Sequence, residues 1–176
     1  VLILALYLQY NRGLSPTDTG QLMMLQALMM TVCAPIAGRL SDRLGHRLLA
    51  TSGSLAIALG LFALTCVGPS TPLWTIGVAI MVIGFGHGLF STPNNASALG
   101  AIPPDKIGIG SAIVSLARQS GQLLGTAVIS LLLAFYFAGA AIGDSDPNLL
   151  AGVTTHALSV SLLLALLAAW FSWKRV

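Results

Sequence analysis

At 176 residues, with 56% hydrophobic and only 7% charged residues and a mean hydropathy of +0.89, the chain falls outside the range of water-soluble domains, which carry about 25% charged residues. That composition excludes a soluble enzyme or binding module and makes lipid the natural solvent. A net charge of +3 and a pI near 9.2 would suit nucleic acid, but basic residues placed beside apolar runs are explained by the positive-inside rule, so no nucleic-acid partner is expected.

A membrane-spanning helix needs about 20 mostly apolar residues. Residues 1–10 are apolar but too short to cross. They begin without Met and lack the basic flank and small-residue cleavage site of a signal peptide, so they read as the outer end of a helix cut by truncation. Further spans are predicted at about 22–40, 48–67, 73–99, 107–137 and 153–173, separated by Gly, Pro and charge. Two exceed the minimum length, which implies tilt or extension beyond the lipid. Cys33 and Cys66 fall within spans, where a disulfide between loops is not on offer. The fold class is an all-α membrane protein, forming a single transmembrane domain over residues 1–176 in a three-plus-three set of helices, a grouping seen in transporters built from inverted repeats.

The loops set the orientation. Arg39, Arg43, Arg47, Lys106, Lys174 and Arg175 fall on one side and Arg12 alone on the other, which makes the basic side, with the C-terminus, cytoplasmic. Asp18, Asp144 and Asp146 lie on the opposite side. The densest charge stretch, residues 38–47, holds four of the thirteen formal charges.

That stretch reads Gly38-Arg39-Leu40-Ser41-Asp42-Arg43-Leu44-Gly45-His46-Arg47. With the entry Gly13-Leu14-Ser15-Pro16, the run Gly84-Phe85-Gly86-His87-Gly88-Leu89-Phe90-Ser91-Thr92-Pro93-Asn94-Asn95 and the run Ala117-Arg118-Gln119-Ser120-Gly121-Gln122-Leu123-Leu124-Gly125, it resembles the major facilitator superfamily. The signature loop of that family is Gly-x-Leu-x-Asp-Arg-x-Gly-Arg-Arg/Lys. Gly38, Leu40, Asp42, Arg43, Gly45 and Arg47 match it, and His46 departs from it. The motifs in this order are similar to the C-terminal half of a fourteen-helix drug:proton antiporter. The resemblance implies a six-helix half with its first helix truncated, whose partners are the missing N-terminal half, the lipid bilayer and a small-molecule substrate. It implies no cofactor beyond a proton gradient. It also implies that the loop, through Gly38, Arg39, Asp42, Arg43, Gly45 and Arg47, latches the two halves together in the outward-open state. Physically, Asp42 can pair with guanidinium groups or with a helix N-terminus in one conformation and release them in the other. The plain alternative is a positive-inside loop with no such role.

Gly84 and Gly88, and likewise Gly121 and Gly125, form Gly-x-x-x-Gly pairs that expose backbone on one helix face and favour close helix approach. Glycine is also simply common in membrane helices. Gly84, Gly86 and Gly88 do not have dinucleotide-loop spacing, and no strand precedes them.

Arg118 lies inside a span, where a charge costs at least about 2.5 kcal/mol. Counted at about 1.5 Å per residue from the start of its helix it reaches the midplane, and counted from the end it nears the inner boundary. In the first placement it faces a cavity and could contact an anionic or polar substrate. In the second it snorkels. His87 could relay protons, as a free imidazole does near neutral pH, or pack as a polar histidine between helices. Gln122, Asn94 and Asn95 are candidates for lining a cavity, because amides in lipid seek protein or water partners. Asn95-Ala96-Ser97 matches a glycosylation acceptor but sits at the inner end of a span, out of reach of the luminal enzyme. Pro16, Pro35 and Pro93 sit near helix ends or offer kinks. No Asp or Glu lies in a span interior, so a coupling carboxylate is expected in the missing half.

Neither metal ligands nor catalytic residues are predicted, since His-Glu-x-x-His, Gly-x-Ser-x-Gly and an intramembrane Asp pair are all lacking. The chain is therefore read as part of a secondary transporter in the bacterial inner membrane, exporting small amphipathic drugs or metabolites by alternating access with proton coupling. The alternatives are a symporter or anion exporter of the same fold, or a non-transporting scaffold or sensor.

Overall fold

The computed structural model describes residues 2–68, 70–137 and 147–174, and all regular structure among them is helical. Arg175, Asp144 and Asp146, used above to set orientation, lie outside the described residues.

Six helices follow one another: α1 (Leu2–Tyr10), α2 (Pro16–Leu44), α3 (His46–Thr65), α4 (Leu73–Gly100), α5 (Ile107–Phe137) and α6 (Pro147–Lys174). Helices α2 to α6 are each long and apolar enough to cross a membrane. At about 1.5 Å per residue, the 31 residues of α5 extend well past a hydrocarbon core of about 30 Å.

Local chemistry sets the ends. Helix α2 begins earlier than the apolar run because Ser15 is its N-cap, accepting the Asp18 N–H at 3.1 Å, while Pro16 occupies the first turn, where its missing N–H costs nothing. The Ser15 hydroxyl in turn donates to the Asp18 carboxylate at 2.7 Å. Helix α6 likewise starts before its apolar run, with Pro147 in its first position.

The expected loop over 41–47 is far shorter than its charges suggested. Helix runs through Leu44 and resumes at His46, with Gly45 alone between them at φ 87°. Only glycine adopts that conformation without a Cβ penalty. The Gly45 N–H donates to the Ser41 carbonyl at 2.9 Å and closes the last turn of α2. At the other end of α3 the helix stops at Thr65, so Cys66 is an exposed C-cap residue rather than part of the helix. Pro103 and Pro104 interrupt the chain after α4, and a single tight turn, Pro104–Lys106, leads into α5.

Helix α4 is the centre of the packing. Its Ile76, Ala79, Ile80 and Ile83 meet Leu4, Tyr7 and Leu8 of α1, Leu64 of α3 and Leu158 of α6. Behind the Gly45 turn, Ala37 of α2, Leu49 of α3 and Leu89 of α4 form a smaller cluster. Helix α5 joins the body by its later turns, where Ile129, Leu132 and Leu133 pack on Ile3, Leu150, Val153 and Ala157. None of the most apolar stretch of α5 is buried.

Opposite the basic end, Arg12 ties the α1–α2 connection to the α3–α4 connection. Its guanidinium donates to the carbonyl of Gly68 at 2.8 Å and also to that of Thr71.

Candidate functional site

The glycines show how closely the helices approach. A Cβ on Gly88 would lie 2.9 Å from the Cβ of Cys33, and one on Gly84 would strike the backbone of Gln26, so α2 presses directly on this face of α4. The other face of α4 does the same with α3. A Cβ on Gly86 would meet the Gly53 carbonyl oxygen and the Ile57 nitrogen, both at 2.7 Å, and one on Gly53 would meet the Phe90 nitrogen at 2.6 Å. Gly60 adds a third contact one heptad along α3, 2.9 Å from the Ala79 carbonyl oxygen. On α5 the contrast is complete: a Cβ on Gly121 or Gly125 would meet nothing within 4 Å among the described residues. Gly86, Gly53 and Gly60 were missed in the sequence, although the seven-residue spacing of Gly53 and Gly60 on one helix face was visible there.

The signature motif divides between two surfaces. Arg39 and Arg43, one helical turn apart, line a shallow depression of about 250 Å³ on α2 with Ile36 and Leu40. Asp42 is exposed beside them. Gly38 faces Thr92 across ordinary van der Waals space, 3.6 Å from a Cβ to its methyl, so room alone does not require glycine there. Beyond Gly45 the direction changes. The Arg47 guanidinium lies over the Trp173 ring of α6, 4.7 Å from its centroid, and Lys174 lies over Trp170 at 4.6 Å. Cation–π contacts of this kind contribute about 0.5–1 kcal/mol when exposed. His46, the departure from the motif, pairs its Nδ1 with the Ser41 hydroxyl at 2.5 Å across the turn.

The polar residues expected to line a cavity go to three different places. His87 borders a cavity of about 380 Å³ lined from α1, α2, α3, α4, α5 and α6, whose other polar lining residues are Gln26 and Ser161. Its Nδ1 lies 3.0 Å from the Ile83 carbonyl oxygen, and because a carbonyl only accepts, Nδ1 carries the proton and Nε2 is the acceptor in the neutral ring. Asn94 lines a separate cavity at the basic end with His46 and Arg47. Asn95 accepts a hydrogen bond from Arg118 Nη2 at 2.7 Å, joining α4 to α5. Gln122 is exposed on α5, and its backbone carbonyl accepts from the Thr126 hydroxyl at 2.9 Å.

The Arg118–Asn95 bond fixes a depth that counting residues left open. Asn95 is five residues from the last residue of α4, about 7.5 Å along the axis. Arg118 therefore lies toward the basic end, about 12 Å from the level of His87 by the rise of α4.

A bundle of apolar helices joined by short polar turns, packed glycine to backbone and holding most of its basic residues at one end, is the build of a membrane transporter domain. The chain belongs to the Major Facilitator Superfamily, whose model matches residues 1–176. It is 35% identical over 132 residues to a riboflavin transporter of Clostridioides difficile, covering 75% of this chain and 29% of that protein. It is 33% identical over 137 residues to a methyl viologen resistance protein of Salmonella typhimurium, covering 78% and 28%. It is 28% identical over 172 residues to a methylenomycin A resistance protein of Streptomyces coelicolor, covering 96% and 34%. The chain thus spans about a third of the length of the curated relatives it matches. It is an integral membrane domain of a transporter family, not of an enzyme family.

Proposed function

We propose that the chain is the C-terminal half of a drug:proton antiporter that exports small amphipathic molecules from a bacterial cell by alternating access, in the inner membrane with its C-terminus cytoplasmic. The observation that carries this is α5. It is a long apolar helix with none of its most apolar stretch buried, and Arg118, Gln122, Gly121 and Gly125 are among its exposed residues. Lipid can cover the apolar part of such a helix, but its exposed Arg118, Gln122 and glycine pair suit a second bundle, and alternating access requires a face where two bundles rock on one another.

Three further features support the reading. Arg39, Asp42 and Arg43 are exposed at the basic end, ready for a partner in one state and free in the other. The six basic residues counted against Arg12 favour a cytoplasmic basic side. Between α2 and α4, a groove of about 570 Å³ is mostly apolar but includes Asp18 and Trp74, which suits an amphipathic solute. Relatives that carry resistance to methyl viologen and methylenomycin A agree with export as the direction.

The test is transport of an amphipathic fluorescent dye in vesicles containing the full-length protein under an imposed pH gradient. Uptake into inverted vesicles should follow the gradient and stop when a protonophore collapses it, and Asp42→Asn should lower the rate without lowering the amount inserted. Transport indifferent to the gradient removes proton coupling, and an unaltered rate in Asp42→Asn removes the latch.

A further inference from the structure

Many hydroxyl groups in these helices donate to the carbonyl one turn back, though the Ser41 hydroxyl pairs with His46 and the buried Thr19 hydroxyl has no partner among the described residues. In α6 alone Thr154, Thr155, Ser159 and Ser161 do so, at 2.7 to 3.0 Å. Ser172 in the same helix does not. It is 5% exposed, and its buried Oγ has no hydrogen-bond partner among the described residues, an arrangement that costs free energy unless something else meets it.

Ser172 borders the cavity of about 290 Å³ at the basic end, together with His46, Arg47, Ala50, Pro93, Asn94 and Ser97. His46 and Arg47 are the first two residues of α3, and the N-cap Gly45 has no side chain with which to satisfy the first-turn N–H groups. Four N–H groups at a helix start lack intrahelical partners, and the macrodipole adds positive potential there. Beside the apolar Ala50 and Pro93, the lining residues bring the start of α3, a guanidinium, hydroxyls, an amide and an imidazole, and no acidic residue is among the described lining residues. Trp170 and Trp173, with Lys174, stand at the same end of α6, and such residues mark the depth of lipid headgroups.

We infer that this cavity binds a phosphate group, carried by a phospholipid headgroup or as free phosphate. A tetrahedral anion presents several acceptor oxygens, which the N-terminal N–H groups of α3, the Arg47 guanidinium and the Ser172 hydroxyl satisfy together. The Trp173 ring holds Arg47 at the cavity, so the charge is in place before the anion arrives. This site is separate from the exposed Arg39, Asp42 and Arg43, and it stands whether or not the export reading does.

The test uses the purified full-length protein in detergent and follows its thermal unfolding and its binding heats. The probes are dihexanoyl phosphatidylglycerol, dihexanoylglycerol, which lacks phosphate, and inorganic phosphate. The phospholipid should bind saturably and raise the unfolding midpoint, and the diglyceride should not. The same shift with inorganic phosphate assigns the site to the free anion, and a shift with the phospholipid alone assigns it to a headgroup. Arg47→Gln should weaken binding about tenfold or more, and Ser172→Ala about fivefold, as expected for one charge-assisted and one neutral hydrogen bond. Ser172→Ala should leave the unliganded protein as stable as before or more so, because it removes an unsatisfied group. No shift with either phosphate probe overturns the inference. So does an affinity unchanged in Ser172→Ala, or an equal loss in Lys106→Gln, whose charge lies outside the cavity.

Discussion

Helices α4 and α5 carry the same Gly-x-x-x-Gly signal and have opposite fates. Gly84 and Gly88 of α4 bring α2 to backbone contact, and Gly86 between them does the same for α3. Gly121 and Gly125 of α5 meet none of the described residues. The motif therefore encodes permission for a close approach, and the neighbour decides whether the permission is used. In α4 both neighbours are in this chain. In α5 the glycine face is open among the described residues, as the proposed contact with a second bundle would require.

The largest effect that could break this contrast is at Gly86. In Gly86→Ala the new methyl meets a carbonyl oxygen and a backbone nitrogen of α3, neither of which can move as a side-chain tip can. Overpacking of this kind costs about 1–3 kcal/mol and occasionally more, and Gly86→Ala should lie at the upper end. Thermal unfolding in detergent should show a clear drop, and Gly84→Ala should show the same against α2. A neutral outcome at both positions would mean that α4 is not clamped by its neighbours and would remove the distinction from α5.

Next comes Gly125→Leu. If α5 presents its glycine face to a second bundle, this substitution should lower dye transport by the full-length protein about tenfold, the kinetic equivalent of an overpacking cost in the same range. The fold of this domain should remain, because none of its described residues occupies that space. Loss of insertion or folding with Gly125→Leu would instead place the face inside the domain. Transport at the wild-type rate would leave the face toward lipid.

Much of the architecture was legible because apolar runs of the right length have few other uses. The spans near 73–99 and 107–137 lie close to α4 and α5, while the ends of α2 and α6 differ because Ser15, Pro16 and Pro147 carry the start signal and hydropathy does not register it. Gly45 was legible as a break but not as a single-residue one, since its four neighbouring charges look like loop. The interior was harder to read. Pairing of Gly84 and Gly88 with α2 depends on which helix arrives there, and the spacing does not say. Arg47 and Trp173 are far apart in the chain, so their stacking leaves no local trace. Arg118 had two depths by counting, and one hydrogen bond to Asn95 selects between them.

That hydrogen bond gives the third test, because it is a polar link between the packed helix and the open one. Arg118→Gln and Asn95→Ala, with the double variant, form a cycle whose coupling should be about 0.5–1.5 kcal/mol, the net worth of one intramolecular hydrogen bond. The exposure of this pair places it in the lower part of that range. A coupling of zero would mean that α5 stands apart from α4 at this level, and the depth assigned to Arg118 would lose its basis. A coupling several times larger would mean that the pair is desolvated, as happens when a second bundle closes over α5.

The smallest effect is the most discriminating. Gly121→Ala adds one methyl to a helix position with open space around it, and alanine is favoured over glycine in a helix interior by about 0.8–1 kcal/mol. Where tertiary contacts are absent that preference should appear nearly undiluted, so Gly121→Ala should raise the unfolding midpoint of the full-length protein slightly. The same exchange at Gly86 should lower it strongly. If Gly121 does meet another bundle in one transport state only, the methyl should leave the midpoint raised and slow turnover, because it penalises that state alone. Stability and rate would then move in opposite directions after a single methyl. A simple lipid-facing glycine could not produce that pair of results, and neither could a glycine packed in every state.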